Sequence, residues 1–141
     1  MDITEKSIEI ALKAYCGKKD KAGKTYILHP LRIMAKMETE EEMAVALLHD
    51  VIEDSHFTRD DLREEGIPLA VVEAVQLLSK NDGESYDQFV GRVSENELAS
   101  KIKIADIEDN INVLRLESIG EEDLARVAKY HRAWKKLQAR R

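Results

Sequence analysis

Residues 39–54 read TEEEMAVALLHDVIED, and this stretch decides the fold. Thr39 followed three residues later by Glu42 has the form of a capping box, the local signal that opens a helix. Met43, Val45, Ala46, Leu47, Leu48, Val51 and Ile52 then surround much of the helix circumference, so this helix should lie inside the molecule. Four polar side chains interrupt that apolar surface: His49, Asp50, Glu53 and Asp54. In a continuous helix His49 and Glu53 stack one turn apart, as do Asp50 and Asp54, giving a two-by-two patch on adjoining stripes. Burying that much charge without a partner is expensive, and a metal is the natural neutraliser. The plain alternative is the exposed face of an amphipathic helix with its carboxylates in water.

Working outward, the chain has only Pro30 and Pro68 and reads as helices joined by short turns. Ile3, Ser7, Ile10, Ala11 and Ala14 form one face of a first helix that stops near Gly17. Pro30 suits the first position of a short second helix carrying Leu31, Ile33 and Met34. Thr58 with Asp61, Ser85 and Asn96 are further caps, Gly66 and Pro68 separate two helices, and Asn81, Asp82 and Gly83 form a turn. A final helix starts near Glu121 with Leu124, Val127, Ala128 and Leu137. The expected fold is all-α, a compact bundle of about seven helices in a single domain over residues 1–141.

A hydrophobic share of 43% over 141 residues suffices for one core. Cys16 is the one cysteine, so no internal disulfide forms, which points to a reducing, cytoplasmic setting. Met1 to Leu12 is amphipathic and lacks the apolar core of a signal peptide, and no segment approaches the ~20 apolar residues of a membrane span. A net charge of -6 argues against a nucleic-acid partner, which needs a broad basic surface. Lys18, Lys19, Lys21 and Lys24 nevertheless make a local basic loop suited to a small anion, or simply to solvent.

Two more segments bear on the chemistry. Tyr26-Ile27-Leu28-His29-Pro30 sets a histidine where the lysine loop meets a helix start, and Lys103 to Asn110 interrupts an apolar helix with Asp106, with Asn110 one turn further on. Taken with His49 to Asp54, these segments resemble the HD superfamily, and within it the hydrolase domain of the RelA/SpoT family and its small stand-alone homologues. The resemblance runs from Ala11 to about Leu114. It rests on a Tyr-x-x-His-Pro after a basic loop, an unchanged His-Asp-x-x-Glu-Asp, and a Lys-x-Ala-Asp-x-x-x-Asn.

The resemblance implies that His29, His49, Asp50 and Asp106 hold a divalent metal, typically manganese. It gives Glu53 and Asp54 the role of catalytic acids, and Asn110 and Lys21 contacts with substrate. Lys18, in the same basic loop, is a further candidate for substrate binding. The implied reaction is hydrolysis of the 3′-pyrophosphate of (p)ppGpp, a nucleotide of the stringent response, to GDP or GTP and pyrophosphate. Asp20 stands where relatives usually carry an arginine that stacks on guanine; Tyr15, Thr25 and Val113 also depart from the pattern. Asp20 favours another reading, a phosphatase of a different small metabolite such as a nucleoside monophosphate or NADPH. A catalytically silent nucleotide-binding module is the third. His56, Tyr130, His131 and Trp134 lie outside the motifs and read as ordinary surface or core residues.

Overall fold

Helices start where the sequence caps them. In this computed structural model, which describes residues 1–140, Asp2, Thr39, Thr58, Ser85 and Asn96 each accept a bond from a backbone N–H of the following first turn. Such a cap is worth about 1 kcal/mol. The helices that result are α1 (Ile3–Tyr15), α2 (Leu28–Met34), α3 (Glu40–Leu48), α4 (Val51–Asp54), α5 (Arg59–Glu64), α6 (Leu69–Leu77), α7 (Tyr86–Val93), α8 (Glu97–Asn110) and α9 (Glu121–Ala139). A 3₁₀ turn at Val113–Arg115 joins the last two, and among the described residues there is no strand. The all-α expectation holds, but the described residues contain nine α-helices where about seven were expected.

Part of the difference lies in residues 39–54. They do not form one continuous helix, because Asp50 takes up φ -105 and ψ 3, which ends α3 and starts the single turn α4. The physical reason is local competition for backbone partners. His49 Nδ1 sits 2.7 Å from the Ala46 carbonyl, and the Asp50 N–H donates instead to the Tyr15 hydroxyl at 3.2 Å. The two-by-two patch on one helix is therefore replaced by a corner, which turns His49 and Asp50 inward and leaves Glu53 and Asp54 exposed. A smaller difference is that α2 starts at Leu28, which sets Pro30 inside its first turn, where a missing N–H still costs no helical bond.

α3 is the centre of the bundle. It packs against α1, α2, α6 and α8, and Ala44 to Leu48 have no exposure at all, as its apolar circumference requires. Truncating Leu47 or Leu48 to alanine would cost about 2–5 kcal/mol. α5 ends at Gly66, whose φ of 90 is left-handed backbone that suits glycine. α9 lies across α7 and α8 through Ala133 and Leu137. Among the described residues no helix is long and apolar enough to cross a membrane.

Candidate metal centre and its cleft

The α3–α4 corner, the first turn of α2 and the middle of α8 converge on one buried spot. One ligand atom each from His29, His49 and Asp50 lies within 4.8 Å of the others, a spacing that can hold a metal ion. Asp106 is not one of this trio, but its Oδ1 stands 2.8 Å from His29 Nε2 and 3.5 Å from His49 Nε2. The four residues predicted from sequence as ligands therefore stand together.

The donor set fits a cation. The Ala46 carbonyl can only accept, so His49 Nδ1 carries the hydrogen, and Nε2 is the ring nitrogen turned toward the carboxylates of the site. That Nε2 is buried and makes no hydrogen bond, although Asp50 Oδ2 is 3.2 Å away. A buried acceptor facing carboxylate acceptors is repulsive unless a proton or a cation lies between them. For His49 and His29 alike, burial opposes the charged form but the neighbouring carboxylates outweigh it: Asp50 and Asp106 for His49, Asp106 and Asp109 for His29. Both imidazoles end above their ordinary value. Burial also opposes ionisation of Asp106, and Lys103 and the two histidines reverse this, holding its carboxyl well below the usual range.

Each candidate ligand is held from behind. Asp106 Oδ2 accepts from Lys103 Nζ at 2.9 Å and Oδ1 from Asn110 Nδ2 at 3.0 Å. The Tyr26 hydroxyl donates to Asp50 Oδ2. His29 Nδ1 lies 2.6 Å from Asp109 Oδ2, and Asp109 also takes both Nε and Nη2 of Arg32 at 2.8 and 2.9 Å. Beside His29 opens a cleft of about 220 Å³ whose walls include Lys21, Arg32, Arg115, Arg126 and Tyr130.

No protein-family model matches the chain. Among curated proteins it is 29% identical over 136 residues to the guanosine-3′,5′-bis(diphosphate) 3′-pyrophosphohydrolase of Aquifex aeolicus, a match covering 89% of this chain and 19% of the relative. The protein of the same name from Vibrio cholerae is 31% identical over 129 residues, covering 81% and 18%. Other relatives are named GTP pyrophosphokinase. The chain spans less than a fifth of the length of these curated relatives. A solved metazoan ortholog of SpoT, described as hydrolysing ppGpp, superposes with a TM-score of 0.70 over 99% of this chain and 94% of its own, at 20% identity, which carries the fold.

In sequence and fold the chain is similar to the HD-type hydrolase domain of RelA/SpoT proteins. In this domain Lys21 lines the cleft, and so does Asn110, which also steadies Asp106. Lys18 is elsewhere: its ammonium donates to the Asp54 carbonyl and ties the basic loop to α4. Glu53 and Asp54 stand exposed on α4, and neither side chain bonds to the trio. Partial desolvation at the edge of the site first, and then the charge of Asp50, push both carboxyls above their ordinary values. Asp20 faces the cleft, with its Oδ1 accepting from the Ala22 and Lys24 N–H groups at 2.9 Å each, so it also shapes the loop.

Sequence reasoning missed several residues. Tyr130 is not an ordinary residue: with Arg126 it walls the cleft from α9. The reading holds better for the others, since His56 stacks on Phe57 at the surface, His131 is exposed, and Trp134 Nε1 donates to Glu108. Arg32, Asp109 and Arg115 went unremarked. Arg32 one turn beyond His29, and Asp109 one turn beyond Asp106, were the available signals.

Proposed function

We propose that this HD domain is a metal-dependent phosphohydrolase that cleaves the 3′-pyrophosphate of (p)ppGpp or a related nucleotide. The products would be GDP or GTP and pyrophosphate. His29, His49, Asp50 and Asp106 would hold the divalent ion, manganese in our reading. The observation that carries the proposal is His49 Nε2, a buried ring nitrogen without a hydrogen-bond partner that faces other candidate ligand atoms beside a cationic cleft. The names of the curated relatives favour the same chemistry.

When bound, the ion would polarise the attacking water and the phosphoryl oxygens. The chain supplies the rest. Glu53 or Asp54, carboxyls raised toward neutrality, would take the proton of the attacking water and return it to the ribose oxygen as the O–P bond breaks. Lys21 and Arg126 would draw the phosphates into the cleft, and Asn110 would orient them against the metal. Lys18 would act indirectly, by holding the loop to α4. The exposed Cys16, a lone thiol, suits a cytoplasmic setting.

A second reading has one observation in its favour. Asp20 brings a carboxylate to the cleft and keeps it there through two backbone bonds, so no planar cation offers itself to a purine at that position. A different phosphorylated metabolite, a nucleoside monophosphate or NADPH, then becomes the substrate. The test is to incubate the manganese-loaded protein with ppGpp, pppGpp, NADPH and nucleoside monophosphates and to separate the products. Pyrophosphate released from ppGpp supports the first reading, and turnover of another phosphate alone replaces it with the second. Binding without any turnover leaves a silent nucleotide-binding module.

A further inference from the structure

His29 is gripped on both ring nitrogens by one helix. Asp106 and Asp109, one turn apart on α8, lie 2.8 Å from Nε2 and 2.6 Å from Nδ1. This raises a selection problem. Asp106 accepts a hydrogen from Nε2 as readily as it neighbours an ion, and a neutral ring protonated at Nε2 has no lone pair to offer on that side. A second acceptor on Nδ1 resolves the choice, because a carboxylate there demands the hydrogen and leaves Nε2 free.

Asp109 is built for that task. It is buried, and three residues, His29, Arg32 and Arg115, fix its side chain. Arg32 grips both oxygens as a fork, at 2.8 Å on Oδ1 and 2.9 Å on Oδ2. Arg115 closes the other side, with Nη1 3.4 Å from Oδ1 and Nη2 2.5 Å from the Asp109 carbonyl. The arginines come from separate elements, α2 and the 3₁₀ turn, so the carboxylate is braced across three segments. Both line the cleft. In the sequence motif Asp109 falls on one of the unspecified positions between Asp106 and Asn110, so motif matching passes over it.

We infer that Asp109 is a positioning residue, which fixes the His29 ring with Nδ1 protonated and Nε2 directed at the metal, and that Arg32 and Arg115 hold it in place for this purpose. The inference rests on the reading of His29 as a metal ligand. Its consequence is that metal affinity depends on a residue that never touches the ion. Removing an outer partner of this kind typically weakens metal binding about 10–100-fold.

The experiment is calorimetric titration of Mn²⁺ into metal-stripped wild type, Asp109→Ala, Asp109→Asn, Arg32→Ala and His49→Ala, with the melting temperature of each metal-free protein measured alongside. We expect Asp109→Ala to lose about 10–100-fold in Mn²⁺ affinity. Asp109→Asn should lose less, since its amide oxygen still accepts from Nδ1, and Arg32→Ala should fall between Asp109→Asn and wild type. Nitrogen-15 NMR of the Zn²⁺-loaded wild type should show His29 protonated at Nδ1. If the Asp109 variants lower only the melting temperature and leave Mn²⁺ affinity at the wild-type level, or if Nε2 carries the hydrogen, the positioning role is overturned. Should Asp109→Ala fail to fold, the isosteric Asp109→Asn decides the matter. Failure of wild type to bind Mn²⁺, or binding by His49→Ala equal to wild type, overturns the ligand reading itself and the positioning role with it.

Discussion

The floor and the walls of this site are built on different terms. On the floor, His29, His49 and Asp106 are 4%, 2% and 5% exposed, and each is held by a second group: Asp109, the Ala46 carbonyl, and Lys103 with Asn110. The walls carry Lys21 and Asp20 on a loop, and Arg126 and Tyr130 on α9. Lys21 has no carboxylate partner among the described ion pairs, and Arg126 pairs only with Asp123 of its own helix, at 2.7 Å. A buried polar network must be fully satisfied or it is costly, so the floor tolerates little change. Lys21 is exposed and Asp20 and Arg126 are half-buried, and charges on a loop and a helix surface that keep contact with water are worth little to stability, so the walls can change substrate without endangering the fold.

Variants that break this contrast rank by where they fall. The largest effect is expected for His49→Ala, which should lower Mn²⁺ affinity by more than about 100-fold, beyond the loss from an outer partner, and abolish turnover. Metal analysis of the purified protein measures it, and unchanged metal content would remove His49 from the shell. Glu53→Gln and Asp54→Asn come next. At least one should lower kcat by about 10²–10⁴-fold while Mn²⁺ affinity stays within a few-fold, because in the proposed mechanism these carboxylates serve the proton and not the ion. A fall in metal affinity equal to that of His49→Ala would instead make them ligands.

Arg126→Ala, on the wall, should raise KM about tenfold, or about 1.4 kcal/mol, with kcat little changed. Steady-state kinetics separates the two, and a matching fall in kcat would move Arg126 from binding into the chemistry. The smallest effect lies away from the site. Arg92 donates to both Glu84 oxygens at 2.9 Å and to the Leu77 carbonyl, pulling the Glu84 carboxyl down from 4.5 to about 2. A folded value below the unfolded one stabilises above about pH 4.5, and the gain is lost as pH falls toward 2. Melting curves between those limits should be flatter for Glu84→Gln than for wild type, with no change in metal affinity.

Much of this was legible in the sequence. The helix starts at Thr39, Thr58, Ser85 and Asn96 were readable because a cap is a contact between residues three apart, and short spacing survives in the linear order. The burial of α3 was readable because apolar residues around its whole circumference leave no face for water. The break at Asp50 was not, because it depends on the Tyr15 hydroxyl, 35 residues away, offering its N–H an alternative partner. Nor was the part played by Asp109, whose bonds to His29 and Arg32 span 80 and 77 residues. Tyr130 looked ordinary because nothing near it in sequence says that α9 crosses the cleft.

By itself, then, the sequence determined the all-α class, most helix boundaries and which histidines and aspartates were fit to meet a metal, since these follow from local hydrogen bonding, periodicity and side-chain chemistry. Only the tertiary structure decided which ring nitrogen of His49 faces the site, which carboxylate steadies His29 and which cations wall the cleft. Those depend on angles and distances between segments far apart in the chain, and they are set when α1, α2 and α8 pack around α3 and α9 packs across α8.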